Sequence, residues 1–397
     1  MRILMVAPEP VFTPRGTPFS VAFRTRALTE LGHQVDLATY PFGRDLRFDG
    51  LRIFRSASFP GVRAVKVGPS LAKLPLDAAL FGLAGRLLQG RSYDLLHTHE
   101  EAGFWGTFVS GVSGIPHLYD MHSSLPQQLE NFRFGNVRPV VAIFEALEKI
   151  TLRRSAGVIA ICQDLYDRVR AIAPGVPVAL IENVLDPALI DPDVDRQIPS
   201  LGRNGRFVVL YAGTFEPYQG VDLMLEAVQR AQETVPDLRF VLAGGNPQQI
   251  EAAKERARSL GISQNVEFRG PQSPRTISRW MREADVLLTA RTSGTNTPLK
   301  IYSYLSSGTP ILATDIYSHR QVLNDDVSVL VKPEPEALAD GLIRLWRDTG
   351  LRKRLSLNAL AYFRENYSYE RYVEAVDQIV QQALEHARQR RTGGSNA

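Results

Sequence analysis

The chain has 397 residues, 44% of them hydrophobic and 22% charged, with a formal net charge of +4. That length exceeds one ordinary core and predicts two domains of roughly 150–200 residues each, and the composition excludes a disordered or collagen-like chain. The single cysteine, Cys162, excludes an intrachain disulfide framework and reads as an inert core thiol, compatible with a reducing cytoplasm.

The N-terminal M-R-I-L-M-V-A-P-E-P has too short an apolar core for a secretory signal and reads as a first strand. No apolar run reaches the ~20 residues that span a bilayer. The loop P-E-P-V-F-T-P-R-G-T-P follows, with Arg15 and with Gly16, a residue that lets backbone approach a phosphate closely. A helix is expected over A-F-R-T-R-A-L-T-E-L, stopping at Gly32, then a strand over H-Q-V-D-L-A-T-Y. Residues 41–93 hold nine cations against three acids, Asp45, Asp49 and Asp77. Their interleaving with apolar residues suits an anionic membrane surface, although an ordinary core helix explains the apolar part equally well. Nucleic-acid binding is not indicated, because no such motif is present and aromatics do not interleave the basic run.

Three more short apolar strands, D-L-L-H-T-H, P-H-L-Y-D-M-H and G-V-I-A-I-C, complete the first half. His97 and His99 are read with side chains on opposite faces of their strand, an arrangement that argues against joint metal binding. His99, beside Glu100 at the strand's end, is read as the one that faces a ligand. The D-P-D-V-D run at Asp191–Asp195 looks like a metal motif but reads as solvated loop. The polar, turn-rich R-Q-I-P-S-L-G-R-N-G-R marks a linker, taken as 197–206.

The alternation then restarts with F-V-V-L-Y-A-G, L-R-F-V-L-A-G-G, N-V-E-F-R-G, A-D-V-L-L-T-A and P-I-L-A-T. Strands alternating with helices predict two doubly wound parallel-sheet α/β domains, over 1–196 and 207–365, with a C-terminal helix over 366–390 expected to return to the first domain. Ligands of such sheets bind beyond the carboxyl ends of the strands. The candidate loops there carry Gly213, Thr214, Glu216 and Gln219, then Gly244, Arg269 and Arg291. In T-N-T-P-L-K-I-Y-S-Y-L-S-S-G-T-P, Thr297 is read as an N-cap, Pro298 as the first helical residue and Gly308 as the helix stop. A helix start offers backbone N–H groups to an anion, and Lys300 stands there against the dipole's preference, as if an anion were near.

Taken together, D-L-L-H-T-H, Y-D-M-H-S-S-L-P, V-V-L-Y-A-G-T-F-E-P-Y-Q-G-V-D-L-M-L-E-A, F-R-G-P and N-T-P-L-K-I-Y-S-Y-L-S-S-G-T-P-I-L-A-T-D resemble glycosyltransferase family 4. The resemblance covers nearly the whole chain. It implies the GT-B fold, two facing Rossmann-like domains with an interdomain cleft. It also implies transfer of a sugar from a nucleotide-diphosphate donor to an acceptor hydroxyl with retention of configuration, without a metal and without a prosthetic group. The donor's diphosphate would meet the N–H groups of Leu299 and Lys300, in a site that includes Thr295, Asn296, Thr297, Pro298 and Ser303. His122 would contact the donor sugar, with Arg291 and Lys300 supplying cationic charge. Arg15 and His99 would lie toward the acceptor, a sugar or a lipid-linked one.

Four positions depart from the family's pattern. Its two glutamates are Thr295 and Ser303, its arginine is Thr214 and its lysine is Gln219. A nucleotide-sugar-binding scaffold that has lost catalysis, or a GT-B epimerase, therefore remains an alternative. A nicotinamide dehydrogenase is disfavoured, since no G-x-G-x-x-G follows the first strand.

Overall fold

Short parallel strands alternate with helices throughout the computed structural model, which describes residues 1–11, 16–59, 73–124, 126, 138–182, 198–295 and 297–393. Two units result, one of Met1–Asn183 with Tyr369–Ala397 and one of Val184–Ser368.

In the first unit, strands β1 (Arg2–Ala7), β2 (Gln34–Thr39), β3 (Leu51–Arg55), β4 (Leu95–His99), β5 (His117–Met121), β6 (Gly157–Ala160) and β7 (Val178–Leu180) form one sheet in the order β3-β2-β1-β4-β5-β6-β7. Every pairing is parallel. The described helices are α1 (Gly16–Glu30), α2 (Leu74–Gly90), α3 (Ala102–Ser113), α4 (Arg138–Arg154) and α5 (Gln163–Ile172). Burial on both faces explains why the central strands read as unbroken apolar runs. Leu4, Met5, Val6, Leu95 and Leu96 have no exposed surface.

The second unit repeats the plan. Strands β8 (Phe207–Gly213), β9 (Leu238–Gly244), β10 (Val266–Gly270), β11 (Val286–Thr289), β12 (Ile311–Thr314) and β13 (Ser328–Val331) lie in the order β10-β9-β8-β11-β12-β13, again parallel. Helices α6 (Val221–Ala231), α7 (Pro247–Ser259), α8 (Pro274–Glu283), α9 (Lys300–Ser307), α10 (Tyr317–Arg320), α11 (Pro335–Arg347) and α12 (Thr349–Asn366) flank it. Helix α13 (Tyr369–Gly393) ends the chain and packs on α1 and β6 of the first unit. In both sheets the strand order reverses beside the first strand, between β1 and β4 and between β8 and β11. Ligands of open α/β sheets bind at such switch points.

Two local expectations are corrected. Helix α1 begins at Gly16, inside the stretch read as loop. Helix α9 begins at Lys300 with Leu299 at its N-cap position, and the buried Thr297 hydroxyl makes no capping bond. Gly308 does close that helix, in the left-handed conformation at φ 70°. Arg15, Asn296 and Asp191–Asp195 lie outside the described residues.

Candidate functional site

The chemistry-bearing side chains form two groups, one in each unit. In the second unit they stand where β8 and β11 end. Tyr211, next to last but one in β8, turns its ring under the Lys300 side chain, whose Nζ lies 4.0 Å from the ring centroid. The same Nζ donates to Gln219 Oε1 at 3.2 Å. Gly213 makes room for this contact: a Cβ there would lie 2.5 Å from Lys300 Nζ and 2.8 Å from the Tyr211 hydroxyl. The hydroxyl itself donates to the Thr214 carbonyl at 2.6 Å. Tyr304, one turn into α9, accepts from the Ala212 N–H at 3.2 Å and donates to the Leu288 carbonyl, so the helix that carries Lys300 is tied to both strand ends.

Arg291, two residues past β11, sets its guanidinium 5.0 Å from the Tyr218 ring centroid. Burial and the nearby Arg291 push the Lys300 ammonium down to about 7, and burial also lowers the Arg291 guanidinium. Two cations that repel one another, each resting on a tyrosine face, make a strong receptor for an anion with two charged groups. His319 was missed by sequence reading. Its Nδ1–H donates to the Thr314 carbonyl at 2.7 Å, and Thr314 Oγ1 donates to the Arg291 carbonyl at 2.6 Å, so the pair holds the loop that presents Arg291. Burial holds His319 neutral, down to about 4. The apolar strand P-I-L-A-T followed by D-I-Y-S-H was the available signal.

The other candidates in this unit divide. Gln219 and Ser303 are buried, as are Thr297 and Pro298, with Leu299 half-buried. Thr214 and Thr295 are exposed, and Thr295 offers its carbonyl to the Gln321 amide. Gly244, at φ +124°, lets β9 approach β8, since a Cβ there would lie 1.9 Å from the Gly213 carbonyl oxygen. Glu216 points elsewhere and accepts from Gln249 Nε2 at 3.0 Å. Arg269 is exposed, paired with Glu267 and laid over the Trp280 ring, and makes no contact with Lys300 or Arg291.

In the first unit the group is buried. Asp120 Oδ2 accepts from Arg24 Nε at 2.8 Å, both fully enclosed, and lies 3.4 Å from His97 Nε2. His122 Nε2 lies 3.2 Å from Asp120 Oδ1 and 3.0 Å from His99 Nδ1. The expectation that His97 and His99 point to opposite faces is wrong. Residues two apart in a strand share a face, and their rings stack at 4.8 Å between centroids. His97, His99 and Asp120 therefore converge, with ligand atoms within 4.8 Å, the group among the described residues able to hold a metal. Arg24 already occupies the carboxylate, so the cluster carries its own cation. Burial lowers all three imidazoles, His122 to about 4, and the Arg24 guanidinium helps hold the Asp120 carboxyl well below its ordinary range.

Glu100, directly after β4, takes a left-handed φ of 49°, uncommon outside glycine and found at functional loops. Thr17 Oγ1 and Ser123 Oγ donate to its two carboxyl oxygens at 3.2 and 2.8 Å, and burial pushes the carboxyl up to about 8. Gly16, one residue before Thr17, starts α1 beside it. Four of the seven described cations of the positive segment are ion-paired: Arg52 and Arg91 with Asp36 at 2.7 and 2.9 Å, Arg55 with Asp45 at 2.6 Å, and Lys73 with Glu101 at 3.1 Å.

Two family models match this chain, "Glycosyltransferase Family 4" over residues 17–189 and "Glycosyl transferases group 1" over residues 193–362. The chain belongs to glycosyltransferase family 4. It is 25% identical over 360 residues to the phosphatidyl-myo-inositol mannosyltransferase of Mycobacterium leprae, covering 89% of this chain and 90% of that protein. It is 27% identical over 400 residues to the D-inositol 3-phosphate glycosyltransferase of Acidothermus cellulolyticus, covering 93% and 86%. Among solved structures, sucrose-phosphate synthase from Thermosynechococcus elongatus matches with a TM-score of 0.73 at 18% identity, covering 97% of this chain and 99% of that one. Anabaena HepE in complex with UDP matches with a TM-score of 0.69 at 19% identity, covering 96% and 100%. The fold of this family 4 member is accordingly GT-B, two Rossmann-like parallel-sheet units.

Proposed function

We propose that this protein is a retaining glycosyltransferase that moves a sugar from a nucleotide-diphosphate donor to an acceptor hydroxyl, without a catalytic metal and without a prosthetic group. The observation that carries the reading is the juxtaposed Lys300 and Arg291 at the switch point of the second sheet. As the bond between the sugar's anomeric carbon and the phosphate oxygen breaks, charge develops on the leaving diphosphate, and these two cations stabilise it in place. The acceptor oxygen bonds to the same carbon from the same side, and its proton passes to a leaving phosphate oxygen. His122, neutral through burial, contacts the donor sugar.

A glycan, a glycolipid or a small molecule serves as acceptor; the name of the phosphatidyl-myo-inositol mannosyltransferase supports a lipid-linked one, and that of the D-inositol 3-phosphate glycosyltransferase a small soluble one. With a lipid-linked acceptor, the reading is of a cytoplasmic protein that works peripherally at the inner face of the membrane. No described helix is long and apolar enough to cross one. A second reading, a nucleotide-sugar-binding protein without turnover, is favoured by Gln219, which meets Lys300 with a neutral amide where the family carries a lysine.

The test is a thermal-shift screen against UDP-, GDP-, ADP- and dTDP-sugars with and without EDTA, followed by NMR of the product anomer. A ligand at 100 times its dissociation constant adds about 2.7 kcal/mol of stability. One nucleotide should shift the transition, EDTA should not matter, and the product should keep the donor's configuration. Binding without any donor hydrolysis or transfer would select the second reading, and an inverted product would overturn retention.

A further inference from the structure

Helix α4 turns Thr151 and Leu152 inward, and a carboxylate with them. It buries Glu148, whose carboxylate accepts from Ser124 Oγ at 2.8 Å and from Arg168 at 2.6 Å. Its outer face instead shows Val140, Ile143, Leu147 and Ile150, spaced three and four apart in one stripe, with Ile143 59% and Ile150 46% exposed. Helix α3 packs beside α4, with the Phe104 and Phe144 rings 6.1 Å apart. One and two turns beyond Phe104, Phe108 is 71% and Val112 77% exposed. Scattered exposed apolar residues need no explanation, but six large ones on two adjoining helices make a patch that marks an interaction site.

Arginines stand at one end of this patch. Arg153 and Arg154 close α4, and the last turns of α13 bring Arg390 against the Arg153 carbonyl at 2.8 Å and Arg391 against the Gly114 carbonyl, where α3 ends. The carboxylate on the exposed side of α4, Glu145, already faces Lys149 at 3.9 Å. Among the described residues of this face, α3 carries no acid and α4 carries the paired Glu145 and the buried Glu148, so the same face of a second copy would bring no acidic rim to meet the arginines. A bilayer offers both, acyl chains for the stripe and anionic headgroups for the basic end.

We propose that the α3–α4 face is the surface by which this protein docks on an anionic membrane, with Phe108, Val112, Ile143, Leu147 and Ile150 entering the acyl boundary and Arg153, Arg154, Arg390 and Arg391 meeting headgroups. The assignment rests on the membrane-side reading above but names a different surface from the basic segment 41–93, most of whose described cations are ion-paired. The test is flotation of the full chain with vesicles of phosphatidylcholine containing phosphatidylglycerol, and with phosphatidylcholine alone. The wild type should float with the anionic vesicles and lose about tenfold in bound fraction in high salt.

The double variants I143E/L147E and F108S/V112S change exposed positions, and should keep the thermal midpoint and nucleotide binding while losing flotation. Flotation of both variants at wild-type level would overturn this face and leave the membrane reading standing. Failure of the wild type to float on anionic vesicles would overturn both. A wild-type dimer that becomes a monomer in either variant, measured by light scattering, would assign the face to a second copy instead.

Discussion

Burial and the neighbouring Arg291 push the Lys300 ammonium down to about 7, from the 10.5 of an ordinary lysine. The sign of the consequence is definite. Between those values the unfolded chain binds a proton that the folded chain does not, so the contribution of Lys300 to stability rises with pH across that window. A bound diphosphate reverses the preference, because it favours the ammonium. Affinity for a nucleoside diphosphate should therefore fall as pH rises through about 7, which calorimetry from about pH 6 to pH 9 would show. In Lys300→Ala that pH dependence should vanish, turnover should drop about 10²-fold or more, and the thermal midpoint should hold, since the lost contacts with Tyr211 and Gln219 are offset by removing a desolvated cation beside Arg291. Unchanged turnover would remove Lys300 from the chemistry. The identity of Lys300 was legible in the sequence, from a cation at a helix start. Its partners were not. Gln219 and Tyr211 lie 81 and 89 positions away, and no local pattern announces that a tyrosine ring, a glycine gap and an amide converge on one ammonium.

At the scale of elements, hydrophobic runs revealed the central strands because those strands are buried on both faces. The three that escaped, β3, β7 and β13, are all sheet edges. An edge strand is short and half covered, so its run is brief and interrupted, as in L-R-I-F-R. Helices were legible in existence but not in orientation. In α4, only the position of Arg168 and Ser124 explains why Glu148 faces in. α13 lies close against the sheet: a Cβ on Gly157 of β6 would lie 2.9 Å from the Ala383 Cβ. Gly157→Val should push α13 off the sheet and cost about 1–3 kcal/mol, read as a lowered urea midpoint. An unchanged midpoint would mean that the helix adjusts freely.

For the whole molecule, the chain forms the first unit, then the second, and returns to the first with α13. Val376, Ile379, Val380 and Ala383 of α13 are fully buried. Ending the chain at Ser368 removes these side chains, at about 1.5–3 kcal/mol for each large one, which is most of the margin of an ordinary domain. Hydrogen exchange of the truncated protein should show the first unit unprotected and the second, which is continuous, still protected. Equal protection in both would mean that α13 is dispensable.

By itself the sequence determined the class of this protein: the alternation of apolar runs and helical periods, the loops at strand ends, and the five motifs of family 4 are all short-range patterns. The tertiary structure alone decided which charges meet. Asp36 pairs with Arg52 and Arg91, Arg24 claims the carboxylate that His97, His99 and His122 surround, and Lys300 and Arg291 stand near enough to repel each other at a sheet's switch point. A charge's effect depends on distance and burial, and both are set by residues far away in the chain.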